Sequence, residues 1–425
     1  MIDKFCLAKR LWPINRSITG DGVRQTLQIL NESLEEIKII SVPSGTQVFD
    51  WVIPDEWNIT KAYIEDPKGE RIVDFEHNNL HVVGYSVPVD CHLELAELDQ
   101  HLHSLPEQPE AIPYVTSYYD RTWGFCVPHK QRVGLKQGIY KVVIESDLKK
   151  GVLNYGELRV PATRDTQQEV LLSTYICHPS MANNEISGPV VTAAIAEWLK
   201  NLDVRKYNYR IVFVPETIGA LTFISQHLEQ LKRDVIAGFN ITCVGDNRSY
   251  SFLPSRNGNT LSDRVAKHVL TFIDPHFKHY TWRDRGSDER QYCAPGIDLP
   301  IASIMRTKYG AYAEYHTSLD TIGDVVTEDG LEGGFRALKL ALEAIEQNCF
   351  PMAKFLGEPQ MGKRGLYPNL SIKSAESSHQ IIMDLISASD GATDLLEIAS
   401  NFSMPIWDLH KQFQMLQRLD ILNDH

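Results

Sequence analysis

The sequence contains no run of apolar residues approaching the roughly 18 needed to cross a bilayer, which argues against a membrane-spanning protein. Its first twelve residues are amphipathic and lack the apolar core and small-residue cleavage site of a secretory signal. Cysteine is sparse: seven residues, at 6, 91, 126, 177, 243, 293 and 349, odd in number, scattered, and without a CxxC pair. Reduced thiols are the simplest reading of that spacing, which agrees with a cytoplasmic protein. Positive charge is in deficit, 42 Lys and Arg against 55 Asp and Glu for a net charge of −13. Nonspecific attraction to nucleic acid or to an anionic membrane is therefore not expected.

What is present is an ordinary globular composition, 43% hydrophobic and 23% charged over 425 residues. That length predicts two or three domains at roughly 150 residues each. Residues 3–36 read as two helices with a break over 12–20 that carries Arg16 and Ser17, either as plain loop residues or within reach of a site. From 37 to 127 the texture is short β-like runs between turn signals and Pro-rich segments, which predicts a β-rich inserted domain. Its histidines, including His101 and His103, show no third metal partner. The aromatic cluster from Tyr118 to Cys126 fits either a packed domain junction or the wall of a cleft.

From Gly138 the pattern alternates. Strands are predicted over 140–146, 155–160, 169–176, 209–214, 235–244 and 299–306, and helices over 188–201, 218–232, 260–273 and 330–348. Alternation with apolar strands predicts an α/β fold with a mostly parallel sheet flanked by helices. After a Gly- and Pro-rich linker over 357–368, three helical patterns (378–388, 392–400 and 405–419, with Ser403 as N-cap) and a short wing strand over 418–422 predict a winged helix. Residues 360–425 hold five Lys or Arg against eight Asp or Glu. So acidic a module fits a protein partner or dimer contact better than DNA. The predicted division is 1–36 with 128–356, 37–127, and 357–425.

The stretch from Thr174 to Gly188 follows a buried strand and precedes a helix, which places His178 and Glu185 where open α/β sheets collect catalytic groups. Three further predicted strand ends carry chemistry: Glu216; Arg285 to Arg290 with Asp288 and Glu289; and His316 with Asp320. A hydrolytic zinc site needs about three protein ligands, an open position and a carboxylate to take a proton. Two histidines and several carboxylates at separate strand ends can supply these. Cys177 and Cys293 flank the same region without an assignable thiolate-activating neighbour, so they are expected to be structural.

In this order, His178, Ser187-Gly188, Glu216 with Gly219, Phe239-Asn240 and His316-Thr317 through Asp320-Thr321 resemble the motifs of the co-catalytic zinc aminopeptidases, over roughly residues 138 to 350. The whole chain is similar to a bacterial family of aminopeptidase-like proteins with an inserted β-domain and a C-terminal winged helix, some linked to surface-polysaccharide biosynthesis. The chain departs where the aminopeptidases place metal carboxylates: Asn184 stands for the bridging Asp, Thr217 for the second Glu and Thr242 for a third acid. Asn and Thr are poor zinc ligands, so one ion is expected rather than two.

The expected set is His178, Glu185 and His316 as zinc ligands, Glu216 as the general base activating the metal-bound water, and Asp288 as a supporting carboxylate. Arg285, Glu289, Arg290 and Tyr292 are expected to line the substrate cleft, the arginines gripping an anionic group. The implied activity is hydrolysis of an amide in a small peptide or an amino sugar. The alternatives are a non-catalytic zinc-binding protein whose winged helix recruits a partner, and a DNA-binding regulator.

Overall fold

The computed structural model describes residues 2–364, 366 and 373–424. Residues 365, 367 and 368 of the expected linker lie outside the described residues. Two compact units are formed, one from the chain up to Ser262 with Phe277–Arg336, the other from Asp263–His276 with the chain from Ala337.

The first unit is built on an eight-stranded sheet. Its centre is parallel: Asn208–Val214, Glu169–Tyr175, Val235–Asn240 and Ile301–Met305 lie side by side in that order. Strand Glu169–Tyr175 is buried along its whole length, as expected of a parallel strand covered on both faces. The helices Ser187–Lys200 and Ile218–Asp234 return the chain between these strands. Their predicted bounds differ from the observed ones by one or two residues.

On one side of this centre the pairing is antiparallel. Val152–Val160 pairs with Asn208–Val214, and Lys38–Pro43 closes that side. Thus the first strand of the 37–127 region belongs to the large sheet. Three further strands of that region, Glu56–Glu65, Arg71–Asp74 and Val89–Glu94, form a four-stranded sheet with Ile139–Lys149. Apolar residues including Ala62, Ile64, Val142 and Ile144 give this sheet its own core. His101 stacks on Trp123 with ring centroids 3.7 Å apart, so aromatic packing accounts for that histidine.

Register fixes where the site sits. Tyr175 lies opposite Val214, and Ser173 opposite Asn240, so three parallel strands end within two residues of one another. His178, Glu216 and Thr242 follow those ends by two or three residues. The strand over 235–244 expected from sequence stops at Asn240, because the chain turns away through Cys243 at φ 51°.

In the second unit, helices Leu395–Asn401 and Ile406–Arg418 follow one another across a short turn, and Leu422–Asp424 pairs antiparallel with Pro351–Ala353. Asp394 caps the first of these helices through the Glu397 amide. Ser403, the expected cap of the second, lies outside it; the Ile406 amide donates instead to Nε2 of His268. Among the described residues no helix is long and apolar enough to cross a membrane.

Candidate active site

The loop after Tyr175 carries His178 inward, and the chain then makes a single π-helical turn, Ala182–Ile186, before entering helix Ser187–Lys200. Such turns are rare and concentrate at functional sites. Asp320 holds this one: its carboxylate accepts from the Asn183 and Asn184 amides and from the Tyr312 hydroxyl. Gly188 is obligatory in the next turn, since a Cβ there would meet Thr174 Oγ1 at 2.5 Å and the Ile241 carbonyl at 2.6 Å.

The turn swings Glu185 back onto His178, whose Nδ1 lies 2.8 Å from Glu185 Oε2. Both are buried. The other Glu185 oxygen lies 3.4 Å from Nε of Arg16, which also donates to the His178 carbonyl. Arg16, drawn from the break between the N-terminal helices, is fully buried. Burial lowers its pKa and Glu185 opposes that shift. Glu185, expected as a zinc ligand, thus has Oε2 on His178, where it orients the ring, while Oε1 has no hydrogen-bond partner and only the ion pair with Arg16.

With Nδ1 committed, Nε2 of His178 faces the other carboxylate, 3.4 Å from Glu216 Oε2. The His316 ring lies 5.7 Å away, centroid to centroid. Two imidazoles sharing one zinc stand roughly 5 Å apart by the same measure. Tyr114 packs edge-on against both rings, and Tyr315 stacks on His316. Burial, reinforced by His178, lowers the His316 pKa to about 3, leaving it neutral, the form that binds metal. For His178 burial is the largest influence and favours the neutral ring, but Cys177 and Glu185 outweigh it and raise the pKa. Burial pushes the Cys177 thiol up to about 11, so it is uncharged at neutral pH and Glu185 is the effective partner.

Cys177, His178 and Glu185 also stand close enough to suggest a three-donor group. A cation among them would face the Arg16 guanidinium, and the Cys177 sulfur already accepts the Glu216 amide. The Nε2 side, toward Glu216 and His316, is the better place for an ion. There the imidazoles of His178 and His316 offer two nitrogens, with the Glu216 carboxylate beside them.

The positions that depart from the aminopeptidase motifs are knitted into hydrogen bonds. Tyr175 donates to Asn184 Oδ1 at 3.0 Å and shares a bond with Thr242 Oγ1 at 2.6 Å. Thr217, strained at φ 62°, gives its amide to Asp288 and receives Arg290 on its hydroxyl. Asp288 is buried, and its other oxygen has no hydrogen-bond partner. Burial and the nearby Glu216 raise the Asp288 pKa, and burial raises that of Glu216.

Of the residues expected along the cleft, Arg290 lines a cavity of 320 Å³ whose walls include Trp51, Tyr118, Tyr119, Glu216 and Thr217. Glu289 is fully buried, accepting from the Gly286 and Ser287 amides, Tyr309 and Asn240. Tyr292 is fully buried against Ser173. Arg285 lies over Trp282 and donates to its carbonyl. Sequence reasoning did not single out Trp51 or Tyr114; the density of aromatics between 114 and 123 was the available signal.

A family model described as a domain of unknown function (DUF4910) matches residues 5–348, and a winged helix-turn-helix model matches residues 350–424. A Clostridium acetobutylicum protein, provisionally named a polysaccharide biosynthesis protein with an aminopeptidase-like domain, is 39% identical over 98% of this chain and 95% of its own. A crystal structure of a C. acetobutylicum protein provisionally described as a peptidase matches with TM-score 0.93 and 37% identity, covering 100% of this chain and 96% of that one. A zinc aminopeptidase from Bacillus subtilis matches in fold alone, with TM-score 0.58 and 11% identity over 80% of this chain and 94% of that one. The chain belongs to the DUF4910 family and joins an aminopeptidase-like fold to a C-terminal winged helix.

Proposed function

We propose that the protein is a metal-dependent hydrolase of an amide bond, with one zinc ion held by His178 and His316 and with Glu216 as the general base. The observation that carries this reading is the Glu185–His178 hydrogen bond, which leaves Nε2 directed at Glu216 on the same side as the neutral His316. A zinc ion supplies Lewis acidity, polarising an amide carbonyl and making water a stronger acid. Glu216, its proton affinity raised by burial, takes the proton of the attacking water and returns it to the departing amine. Asp288 holds the turn after Glu216 by accepting the Thr217 amide, and Arg16 and Glu185 hold His178 in one tautomer.

The catalytic part would comprise residues 1–36 and 128–356. The 37–127 insertion furnishes Trp51, Tyr118 and Tyr119 of the cavity wall. The winged helix over 357–425, with nine Asp or Glu against five Lys or Arg, serves a protein partner or a dimer contact rather than DNA. The Clostridium relative's name supports a role in surface-polysaccharide biosynthesis, and the seven free cysteines support a cytoplasmic location.

Metal content and turnover of three variants provide the test. Purified protein should carry about one zinc per chain, lost in His178→Ala and His316→Ala. Glu216→Gln should keep the ion and lose about 10²–10⁴-fold in kcat. Loss of metal in Glu216→Gln would make Glu216 a ligand, and an ion retained without turnover on any amide would favour a binding role.

A further inference from the structure

The cavity beside Glu216 has a chemistry of its own. Trp51 and Tyr119 stand on its rim at 41% and 49% exposure, unusually open for such large aromatic side chains. Their ring centroids are 6.3 Å apart, and the Tyr119 hydroxyl is anchored on the Val52 carbonyl. Trp51 belongs to a tight hairpin, Gln47–Val48 paired with Trp51–Val52, whose tip residue Phe49 is strained at φ 52°. Ile18 and Ile218 contribute apolar lining, while Thr217, Gln291 and Arg290 supply hydrogen-bonding groups.

The charges decide what fits. A peptidase that reads a free amino terminus needs a carboxylate for the ammonium besides the one that serves as base. Asp288 and Glu289 are fully buried and stand outside the cavity lining: the first has one oxygen on the Thr217 amide and the other without a hydrogen-bond partner, the second accepts four donors. Glu216 is therefore the sole acid among the residues lining the cavity, and Arg290 is its cation. Among the described residues no carboxylate forms a salt bridge with Arg290, whose guanidinium donates to Thr217. At 320 Å³ the space is at the low end for ligand pockets and suits one ring rather than a chain of residues.

Resting on the amide-hydrolase reading, we propose that this cavity is a subsite for an N-acylated amino sugar carrying an anionic substituent, and not for a peptide's amino terminus. The apolar face of the pyranose ring lies on Trp51 and Tyr119, its hydroxyls reach Gln291 and Thr217, and the anion meets Arg290. The acyl amide then points toward Glu216 and His178.

Binding to the protein as purified tests this without requiring turnover. Isothermal calorimetry and saturation-transfer NMR would compare N-acetylglucosamine 1-phosphate, N-acetylglucosamine and leucinamide. The sugar phosphate should bind about tenfold more tightly than the neutral sugar, and leucinamide should not bind. Trp51→Ala should weaken both sugars at least tenfold, while Arg290→Gln should abolish the preference for the phosphate and leave the neutral sugar unaffected. Binding of leucinamide in preference to the sugars, no binding of either sugar, or sugar binding indifferent to Trp51→Ala would overturn the proposal. Sugar binding in a protein that hydrolyses no amide would sink the hydrolase reading alone.

Discussion

Behind the imidazole of His178 stand two buried side chains of opposite charge, Arg16 and Glu185, and together they decide what that histidine can do. A buried charge left without its partner is expensive, whereas a complete pair removed from water is merely costly. Glu185→Gln should therefore destabilise the protein by about 3 kcal/mol or more in urea denaturation, because Arg16 remains buried without an acid. It should also weaken zinc binding by about 10–100-fold, the usual effect of losing a carboxylate that orients a ligand. His178→Ala removes a ligand outright and should lose the metal altogether. Equal metal loss in the two variants would return Glu185 to the ligand set.

At the scale of elements, the approach of helix Ser187–Lys200 to its neighbours sets the geometry of the turn that carries Glu185. Gly188→Ala places a methyl against Thr174 and the Ile241 carbonyl, so the helix must shift. Overpacking of this kind costs about 1–3 kcal/mol, and the shift should lower zinc affinity as well as the melting temperature. A variant with unchanged affinity would show that the turn moves independently of the helix.

The central strands and their helices were legible because parallel strands buried on both faces read as continuous apolar runs between helical periods. Strand Lys38–Pro43 was not placed, since Ile39, Ile40 and Val42 mark a strand without marking its partner, and Val152–Val160 lies over a hundred residues away. The site was legible as a set of residues and not as a set of roles. Sequence order located His178, Glu185, Glu216 and His316 at strand ends, but a one-residue choice of which oxygen meets which ring nitrogen lies beyond any spacing rule. Glu289 and Tyr292 show the same limit: four hydrogen-bond donors converge on one, and the other turns toward Ser173. Arg16 comes from the break between the N-terminal helices and Trp51 from a two-residue hairpin strand, both far from the site in sequence.

At the scale of the whole molecule, the two compact units need not share one stability, and the second contains its own acid-sensitive contact. His268 is buried beside Phe272 and Trp407, with Nδ1 on Ser400 and with Nε2 accepting the Ile406 amide at the start of helix Ile406–Arg418. Because Nε2 accepts, the ring must be neutral with its proton on Nδ1. Burial lowers its pKa from 6.5 to about 4. Below pH 6.5 the unfolded chain takes up a proton that the folded unit refuses until about pH 4, so stability is fully present above 6.5 and falls through that window. The loss is on the order of 1–3 kcal/mol by the lower limit. Urea denaturation followed by tryptophan fluorescence at pH 7 and pH 5 should show a smaller decline in His268→Gln than in the native chain, since the glutamine oxygen can accept the Ile406 amide without titrating. Equal declines in the two proteins would place the acid sensitivity elsewhere.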